Sequence, residues 1–428
     1  MDHRGTGRDF GRASITGQLM GYAVAQLGAR MHYAVPRILH ESGQLEHFYT
    51  DICASKGWPR WCTRVPAAWR PDGLRRIAGR IPQGVPSDKI TAFNLLGLRY
   101  ARRRRRARSS GDLRRSFLWM GEAFCRHVLS RGLGAASGVY VFNSAGLEVL
   151  DAAKRSKRWT VLEQTIAPLQ IETELLQFER QRFPAWQVPI NDDGEVVRFC
   201  ERERAEWQLA DRILCGSAFV RDGIAACGGP AERCVVVPYG VDGRFRLAPR
   251  RSHDGPIRVL VVGAVGLRKG SHYVLAAARC LLFRAHFRMV GPIECLEPAV
   301  RELREIVELT GPVPHSAMLQ HFAWADLLLL PSLCEGSATV IYEALAASLP
   351  VICTPNCGSI VRHGIDGIVV PIRDSQAVVE AVLDLARDPE RRRSMAENAG
   401  RRAAMFDLAA YGRALASALA LQTDQCGP

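Results

Sequence analysis

Two glutamates, Glu335 and Glu343, lie eight positions apart in the stretch CEGSATVIYEALAASLPVICT, residues 334–354. An ionised glutamate accepts hydrogen bonds and donates none, so it holds vicinal hydroxyls well. The pattern places Glu335 in a loop and Glu343 a turn or two into the helix that follows. Glu343 is therefore suited to hold a ribose and Glu335 the hydroxyls of a sugar, although two ordinary exposed glutamates would give the same pattern.

The loop between the two glutamates, residues 336–339, contains only small residues. Its backbone N–H groups can therefore come close to a ligand. The start of the following helix adds free N–H donors and the positive end of the helix dipole, and both favour a phosphate. The spacing thus fits a nucleoside diphosphate joined to a sugar.

The composition is typical of a folded protein that does not cross a membrane. Of the 428 residues, 47% are hydrophobic and 23% are charged, which favours two globular domains. No apolar run reaches the ~18 residues that a membrane-spanning helix requires. The thirteen cysteines form no CxxC pair and the N-terminus has no apolar leader. We therefore expect a cytoplasmic location and no structural metal.

Positive charge is concentrated in one segment. Residues 60–115 contain sixteen Lys or Arg and three Asp, whereas the whole chain has a net charge of +14. The densest part is Arg102–Arg108, which is either simply solvated or contacts an anionic membrane surface, where each basic residue contributes about 1 kcal/mol. No aromatic residue interrupts the arginine run to stack on bases, so we expect no nucleic-acid partner.

Short apolar runs that alternate with helical periodicity indicate two doubly wound α/β domains. The clearest strand–turn–helix signal is residues 258–282. The other runs that predict strands are residues 138–143, 159–163, 211–217, 287–291, 325–332, 350–354 and 367–371, and residues 20–43 repeat the strand–turn–helix pattern near the start of the chain.

These patterns predict the domain limits. The first domain is expected at residues 1–244 and the second at 245–404, with a Gly- and Pro-rich linker at 237–249. A helix near 405–428 has no strand after it and is expected to pack back on the first domain.

Residues 325–352, ADLLLLPSLCEGSATVIYEALAASLPVI, resemble the Glu, seven residues, Glu signature of retaining GT-B glycosyltransferases of the family 4 or group 1 type. Four other segments resemble motifs of that family and come in its order: ERERAEWQLADRILCGSAFVRDGI at 201–224, VPYGVD at 237–242, VVGAVGLRKGSHYVLAA at 261–277 and VRHGIDGIVVP at 361–371. The resemblance implies two facing Rossmann-like domains with a cleft between them. It is strong over about 200–405 and weaker before 160.

The family resemblance also implies roles for individual residues. Lys269 would contact the diphosphate, and together with Glu335 and Glu343 it forms the expected catalytic set. Family members commonly have an Arg directly after the first glycine of the lysine motif, where this chain has Ala264, and Arg268 is the nearest replacement. The expected donor-binding residues are Gly28, Gly263, Arg268, Val313, Gly336, Ser337, Ala338, Thr339 and Val340.

The first domain departs from the family pattern. Many members have a His near the sugar, but Phe142–Ser144 and Glu163–Gln164 stand at the two corresponding places. Glu163 is therefore the candidate for positioning the acceptor or the sugar.

The resemblance implies a retaining hexosyl-type glycosyltransferase that uses a nucleotide-diphosphate sugar and needs no metal. A lipid-linked or envelope polysaccharide precursor is the expected acceptor, at the inner face of the membrane. A nucleotide-sugar epimerase and a catalytically silent nucleotide-sugar-binding scaffold remain as alternatives.

Overall fold

The computed structural model describes residues 20–66, 69–107, 109–187, 194–247 and 255–420. Arg108 and the end of the expected terminal helix, residues 421–428, lie outside the described residues. The described chain contains two β-sheets in which every strand pairs in parallel, so the predicted α/β class is confirmed.

The first sheet has seven strands in the order β3-β2-β1-β4-β5-β6-β7. Their bounds are β1 Tyr22–Gln26, β2 Leu45–Thr50, β3 Ile90–Ala92, β4 Gly138–Phe142, β5 Trp159–Gln164, β6 Arg212–Cys215 and β7 Cys234–Val236. The second sheet has six strands in the order β10-β9-β8-β11-β12-β13. Their bounds are β8 Ile257–Val262, β9 Ala285–Val290, β10 Val307–Gly311, β11 Leu327–Leu330, β12 Val351–Cys353 and β13 Gly367–Val369.

Helices cover both faces of each sheet. The helices between the strands of the first sheet and directly after it are α1 Ala34–Glu41, α2 Asp72–Ala78, α3 Asn94–Arg106, α4 Ser110–Arg131, α5 Leu147–Arg155, α6 Leu169–Arg182, α7 Glu195–Leu209 and α8 Ala218–Ala226. Those of the second half are α9 Ser271–Cys280, α10 Glu297–Ile306, α11 Met318–Trp324, α12 Thr339–Ala346, α13 Ser375–Arg387, α14 Pro389–Ala404 and α15 Leu408–Ala420.

Burial on two faces explains the continuous apolar runs of the strands. In β1, Tyr22 and Val24 pack into one hydrophobic cluster, while Ala23 and Ala25 pack into another. Since successive side chains of a strand point to opposite faces, each face of the sheet has its own core.

Two helices pack against the domain that they do not follow in sequence, as was expected for α15 only. Helix α6 follows β5 of the first sheet, yet Leu176 packs into the core of the second sheet. Helix α15 follows the second sheet but lies against α1. The two helices are so close that a Cβ added to Gly412 would lie 3.5 Å from Ile38. The domains are thus joined by exchanged helices as well as by the linker.

Strand order sets the position of the cleft. In each sheet the order reverses beside the first strand, between β1 and β4 and between β8 and β11. Ligands of doubly wound sheets bind outside the carboxyl ends of the strands at such reversals. Within the described residues, no helix is long and apolar enough to span a bilayer.

Candidate active site

The two sheets share a cavity of about 700 Å³ at the carboxyl ends of their strands. Arg30, Asn143 and Thr165 follow β1, β4 and β5 and line one side. Lys269 and Glu335 line the other side, from the loops after β8 and before α12. Both domains therefore contribute to the site.

Glu335 lies between two cations. Its Oε1 atom is 2.7 Å from Lys269 Nζ and 3.2 Å from Arg268 Nη1. Burial alone would raise the pKa of the Glu335 carboxyl, but the charges of Lys269 and Arg268 hold that pKa below its ordinary value. Gly263 makes room for the lysine, since a Cβ there would be 2.7 Å from Lys269 Cε. The three charged side chains form one fixed cluster on the second domain.

The loop before α12 is held in place by the turn after β12. The Glu335 N–H donates to Asn356 O at 3.1 Å, and Ser337 Oγ donates to Gly358 O at 3.1 Å. The backbone N–H groups of this loop that have no protein acceptor in the described part of the chain are those of Gly336, Ser337, Thr339 and Val340. They line the cavity and make an anion-binding surface at the start of α12.

The structure corrects the sequence prediction that Ala338 binds the donor. Its N–H donates to Cys357 O at 3.1 Å, so it is not available to a ligand. Ala338 still lines the cavity. Helix α12 begins at Thr339, one residue before the expected start at Val340.

Glu343 lines the same cavity and lies 3.1 Å from His315 Nε2. Val313 lines the wall beside it, from the loop after β10. His315 was assigned no role from the sequence, because the partner of Glu343 is 28 positions away and only the fold brings the two together. The expected ribose-binding glutamate is thus held by a histidine that can share a proton with it.

A second cavity of about 550 Å³ adjoins the first. Thr339, Glu343 and His315 line both cavities. The rest of the second cavity is lined mostly from the first domain and the linker, with Ser316 and Leu408 in addition. His32 is one of the lining residues, and its ring centre lies 4.8 Å from that of His315.

Gly28 does not line the main cavity. It adopts a left-handed conformation (φ 75°), and its N–H donates to Asp51 Oδ1 at 3.0 Å. Gly28 lines a smaller pocket of about 120 Å³, which shares Arg30 and Asn143 with the main cavity. Its position is beside the predicted donor site rather than in it.

The prediction for Glu163 is wrong. This side chain is buried in β5 and is not among the residues that line the main cavity. Its carboxylate accepts hydrogen bonds from Tyr140 Oη at 2.6 Å and Tyr239 Oη at 3.2 Å, while burial raises its pKa. Glu163 is therefore an internal partner of two tyrosines and does not position an acceptor.

Two further carboxyl groups line the main cavity, and neither was predicted as a site residue. Glu203 accepts the Leu169 N–H at 2.9 Å, and burial raises its pKa to about 7. Glu172 lies on α6, and burial raises its pKa also. Glu203 lies within the family-like segment 201–224 but was given no role there, and the packing of α6 and α7 brings both residues to the cavity.

Residues 256–388 match the family model described as glycosyl transferases group 1. This stretch makes up most of the second domain, so the second domain is similar to group 1 glycosyl transferases. It contains Gly263, Arg268, Lys269, Glu335 and Glu343, which the sequence resemblance had selected.

Named glycosyltransferases are similar to part of the chain. The amylovoran biosynthesis glycosyltransferase AmsK of Erwinia amylovora is 29% identical over 181 residues, which cover 38% of this chain and 44% of the relative. The alpha-D-kanosaminyltransferase of Streptomyces kanamyceticus is 32% identical over 209 residues, which cover 44% and 54%. The chain thus spans about half the length of these relatives.

Solved glycosyltransferase structures are similar over nearly the whole chain. Sucrose-phosphate synthase of Thermosynechococcus elongatus has a TM-score of 0.67 at 16% identity and covers 95% of this chain and 100% of its own. Anabaena HepE in complex with UDP-glucose has a TM-score of 0.59 at 15% identity and covers 94% and 100%. The two-domain architecture is the GT-B fold.

Proposed function

We propose that the protein is a retaining glycosyltransferase that transfers a sugar from a nucleotide-diphosphate sugar to an acceptor hydroxyl. The observation that carries this proposal is the cluster of Glu335, Lys269 and Arg268 beside the free N–H groups at the start of α12. A cation and an anion-binding helix end on one side of a cavity suit a diphosphate, and the carboxylates beside them suit hydroxyls.

The chemistry follows from that arrangement. Lys269 and the N–H groups of the loop stabilise the negative charge that grows on the leaving diphosphate. Glu343, with His315, holds the ribose, and Glu335 holds hydroxyls of the transferred sugar. In the proposed retaining reaction the acceptor attacks from the face that the diphosphate leaves, so that a diphosphate oxygen accepts the proton of the acceptor hydroxyl.

The protein then contributes orientation, charge stabilisation and exclusion of water. The proposal includes no divalent cation, because Lys269 and the helix end supply positive charge to the phosphates. The assay to test this is sugar transfer with and without EDTA, and the proposal expects equal rates.

A membrane-bound glycan precursor is the proposed acceptor. The relative AmsK acts in amylovoran biosynthesis, as its name states. In this chain, Arg102–Arg106 are exposed at the end of α3, and Leu95 is exposed at its start. Trp61 is exposed in the turn beside that start, where Asn94 donates to Lys56 O at 3.0 Å. Basic and apolar side chains on one surface suit an anionic bilayer.

Binding calorimetry with UDP, GDP, ADP and their glucose conjugates tests the proposal. We expect wild-type protein to bind one nucleoside diphosphate selectively and to hydrolyse its sugar conjugate slowly. Glu343→Ala should weaken binding at least tenfold, whereas Glu305→Ala, at an exposed position of α10, should leave it unchanged. Binding without hydrolysis or transfer would favour the silent scaffold, and no binding of any nucleotide would refute both.

A further inference from the structure

The cations of the second domain are largely neutralised before any ligand binds. Lys269 and Arg268 both contact one oxygen of Glu335, so this cluster of three has a net charge of only one positive unit. Glu343 and Glu172 add carboxyl groups to the same cavity. A diphosphate leaving group carries more negative charge than this cluster can balance, which calls for another cation.

Arg30 is the cation on the opposite wall. It lines the cavity from the loop after β1, and its Nη1 donates to Thr165 Oγ1. Thr165 Oγ1 in turn donates to Asn143 Oδ1 at 2.9 Å. In the described part of the chain Arg30 forms no ion pair, and the carboxylate of Glu163 is occupied by Tyr140 and Tyr239. Most of its guanidinium donors therefore remain for a ligand.

The position of Thr165 places Arg30 beside the phosphate loop. A Cβ added to Gly336 would lie 1.9 Å from Thr165 O and 2.9 Å from Ile166 Cα. The backbones of Thr165 and Gly336 are thus in direct contact across the two domains. The guanidinium of Arg30 therefore binds the side chain of the residue whose backbone contacts Gly336, where the anion-binding surface begins.

The backbone after Arg30 is constrained in a way that suits a functional site. Met31, His32 and Tyr33 follow one another with φ values of 44°, 50° and 62°. Residues other than glycine seldom adopt this left-handed region, and each such residue costs about 1 kcal/mol or more. Three such residues in succession hold the backbone after Arg30 in one conformation. They thereby fix the direction of the chain in the loop that contains Arg30.

We propose that Arg30 binds the diphosphate of the donor from the first domain and supplies the positive charge that the cluster around Glu335 lacks. The inference rests on the proposed function, since it assigns a further ligand to the same phosphate site. A guanidinium suits this role because its planar donors match phosphate oxygens in pairs. A phosphate on the acceptor would present the same chemistry, so the experiment separates the two sources.

Calorimetry with UDP, uridine and inorganic pyrophosphate tests the assignment in wild type, Arg30→Gln, Arg30→Lys and Thr165→Val. We expect Arg30→Gln to weaken UDP and pyrophosphate binding about tenfold or more, with uridine binding unchanged. Arg30→Lys should restore part of the affinity. Thr165→Val removes the hydrogen bond between Arg30 and Thr165 but keeps the charge of Arg30. It should therefore lose less affinity for UDP and pyrophosphate than Arg30→Gln does. The control Arg155→Gln, at an exposed position of α5 in the first domain, should bind all three ligands as wild type does.

Each outcome decides between the inference and the proposed function. If wild type binds neither UDP nor pyrophosphate, and GDP and ADP also fail, the proposed function is refuted. If wild type binds UDP and Arg30→Gln binds it equally well, the assignment of Arg30 is overturned while the proposed function stands. Equal UDP affinity with a raised KM for a phosphorylated acceptor also overturns the donor assignment and moves Arg30 to the acceptor. If Thr165→Val loses as much UDP affinity as Arg30→Gln, Arg30 acts through its hydrogen bond to Thr165, and its assignment as a phosphate ligand is overturned.

Discussion

Lys269 Nζ and Glu335 Oε1 lie 2.7 Å apart on the wall of the cavity, with both side chains largely buried. The contact joins the turn after β8 to the loop before α12, which are 66 positions apart in sequence. Gly263 leaves the space through which the lysine passes. The ion pair thus fixes the expected phosphate ligand and the expected sugar ligand relative to each other before a donor arrives.

Glu335→Gln should reduce both folding stability and sugar transfer. Removing one partner of a buried pair leaves the other charge uncompensated, at a cost of about 3 kcal/mol. The amide also loses the charge that holds Lys269 in place, so transfer should fall about 100-fold. Urea unfolding and a transfer assay measure the two effects. A stability equal to that of Glu305→Gln, an exposed control in the same domain, would contradict this account of the pair.

The stability that Glu335 contributes should depend on pH. Its pKa in the folded protein is lower than in the unfolded chain, so the folded state favours the ionised form. The contribution is therefore complete above about pH 4.5, the unfolded value, and is lost as the pH falls through the folded pKa. We expect the difference in unfolding free energy between wild type and Glu335→Gln to be constant from pH 8 to 6 and to shrink below pH 4.5. If this difference in unfolding free energy grows as the pH falls, folding raises the pKa of Glu335 instead of lowering it.

Sequence patterns placed Glu335 and Glu343 near each other because both lie in one short stretch of chain, whereas Lys269 was selected only through the family resemblance and His315 was missed. Glu335, the small residues after it and Glu343 occupy one loop and one helix, so their spacing alone places them together. The apolar strands β8, β11 and β12 were also predicted, since strands buried on both faces form continuous runs. Strand β2, Leu45–Thr50, mixes polar and apolar residues and β3 has only three residues, so no continuous apolar run marked them. Strand β7 was missed although it lies in the apolar run at 234–237.

The first domain contributes residues that only the fold brings to the cavity. Arg30, Asn143 and Thr165 follow three different strands, and sheet order decides that these strand ends are neighbours. Glu163 failed as a candidate for the same reason. The sequence shows that Glu163 is a polar residue in a strand. It does not show that Tyr140 of β4 and Tyr239 of the linker enclose the Glu163 carboxylate.

Gly336→Ala should separate the two domains at the phosphate loop. The added Cβ would lie 1.9 Å from Thr165 O, a backbone atom that cannot move without shifting β5. We expect nucleotide affinity to fall at least tenfold and the radius of gyration from X-ray scattering to increase. Gly73→Ala is the matched control, because a Cβ there meets nothing within 4 Å. Unchanged binding in both variants would show that the two domains do not need this contact.

Glu179 joins the two domains on another side of the cleft. It lies on α6 and accepts hydrogen bonds from three groups of the second domain: Arg373 Nε at 2.6 Å, His272 Nε2 at 2.8 Å and Tyr273 Oη at 2.9 Å. Glu179→Gln removes the charge that Arg373 faces and should cost about 3 kcal/mol. Thermal unfolding should show a lower midpoint, while Glu174→Gln, an exposed change on the same helix, should not shift it by more than a degree or so. If the two variants melt together, this network does not hold the domains.

Replacing Arg102, Arg103, Arg104, Arg105 and Arg106 by Gln should abolish binding to anionic vesicles. The five side chains are exposed at the end of α3, and each basic residue near an anionic surface contributes about 1 kcal/mol. Vesicle sedimentation with 30% phosphatidylglycerol should show wild type bound at low salt, released by 0.5 M NaCl, and absent from vesicles of phosphatidylcholine alone. Replacing five exposed arginines of the second domain, Arg301, Arg304, Arg391, Arg393 and Arg401, keeps the change in net charge equal. This control should retain binding, because the position of the charge matters and not the total. If both variants lose binding equally, the attraction is a property of the net charge of +14 and α3 is not the surface that meets the membrane.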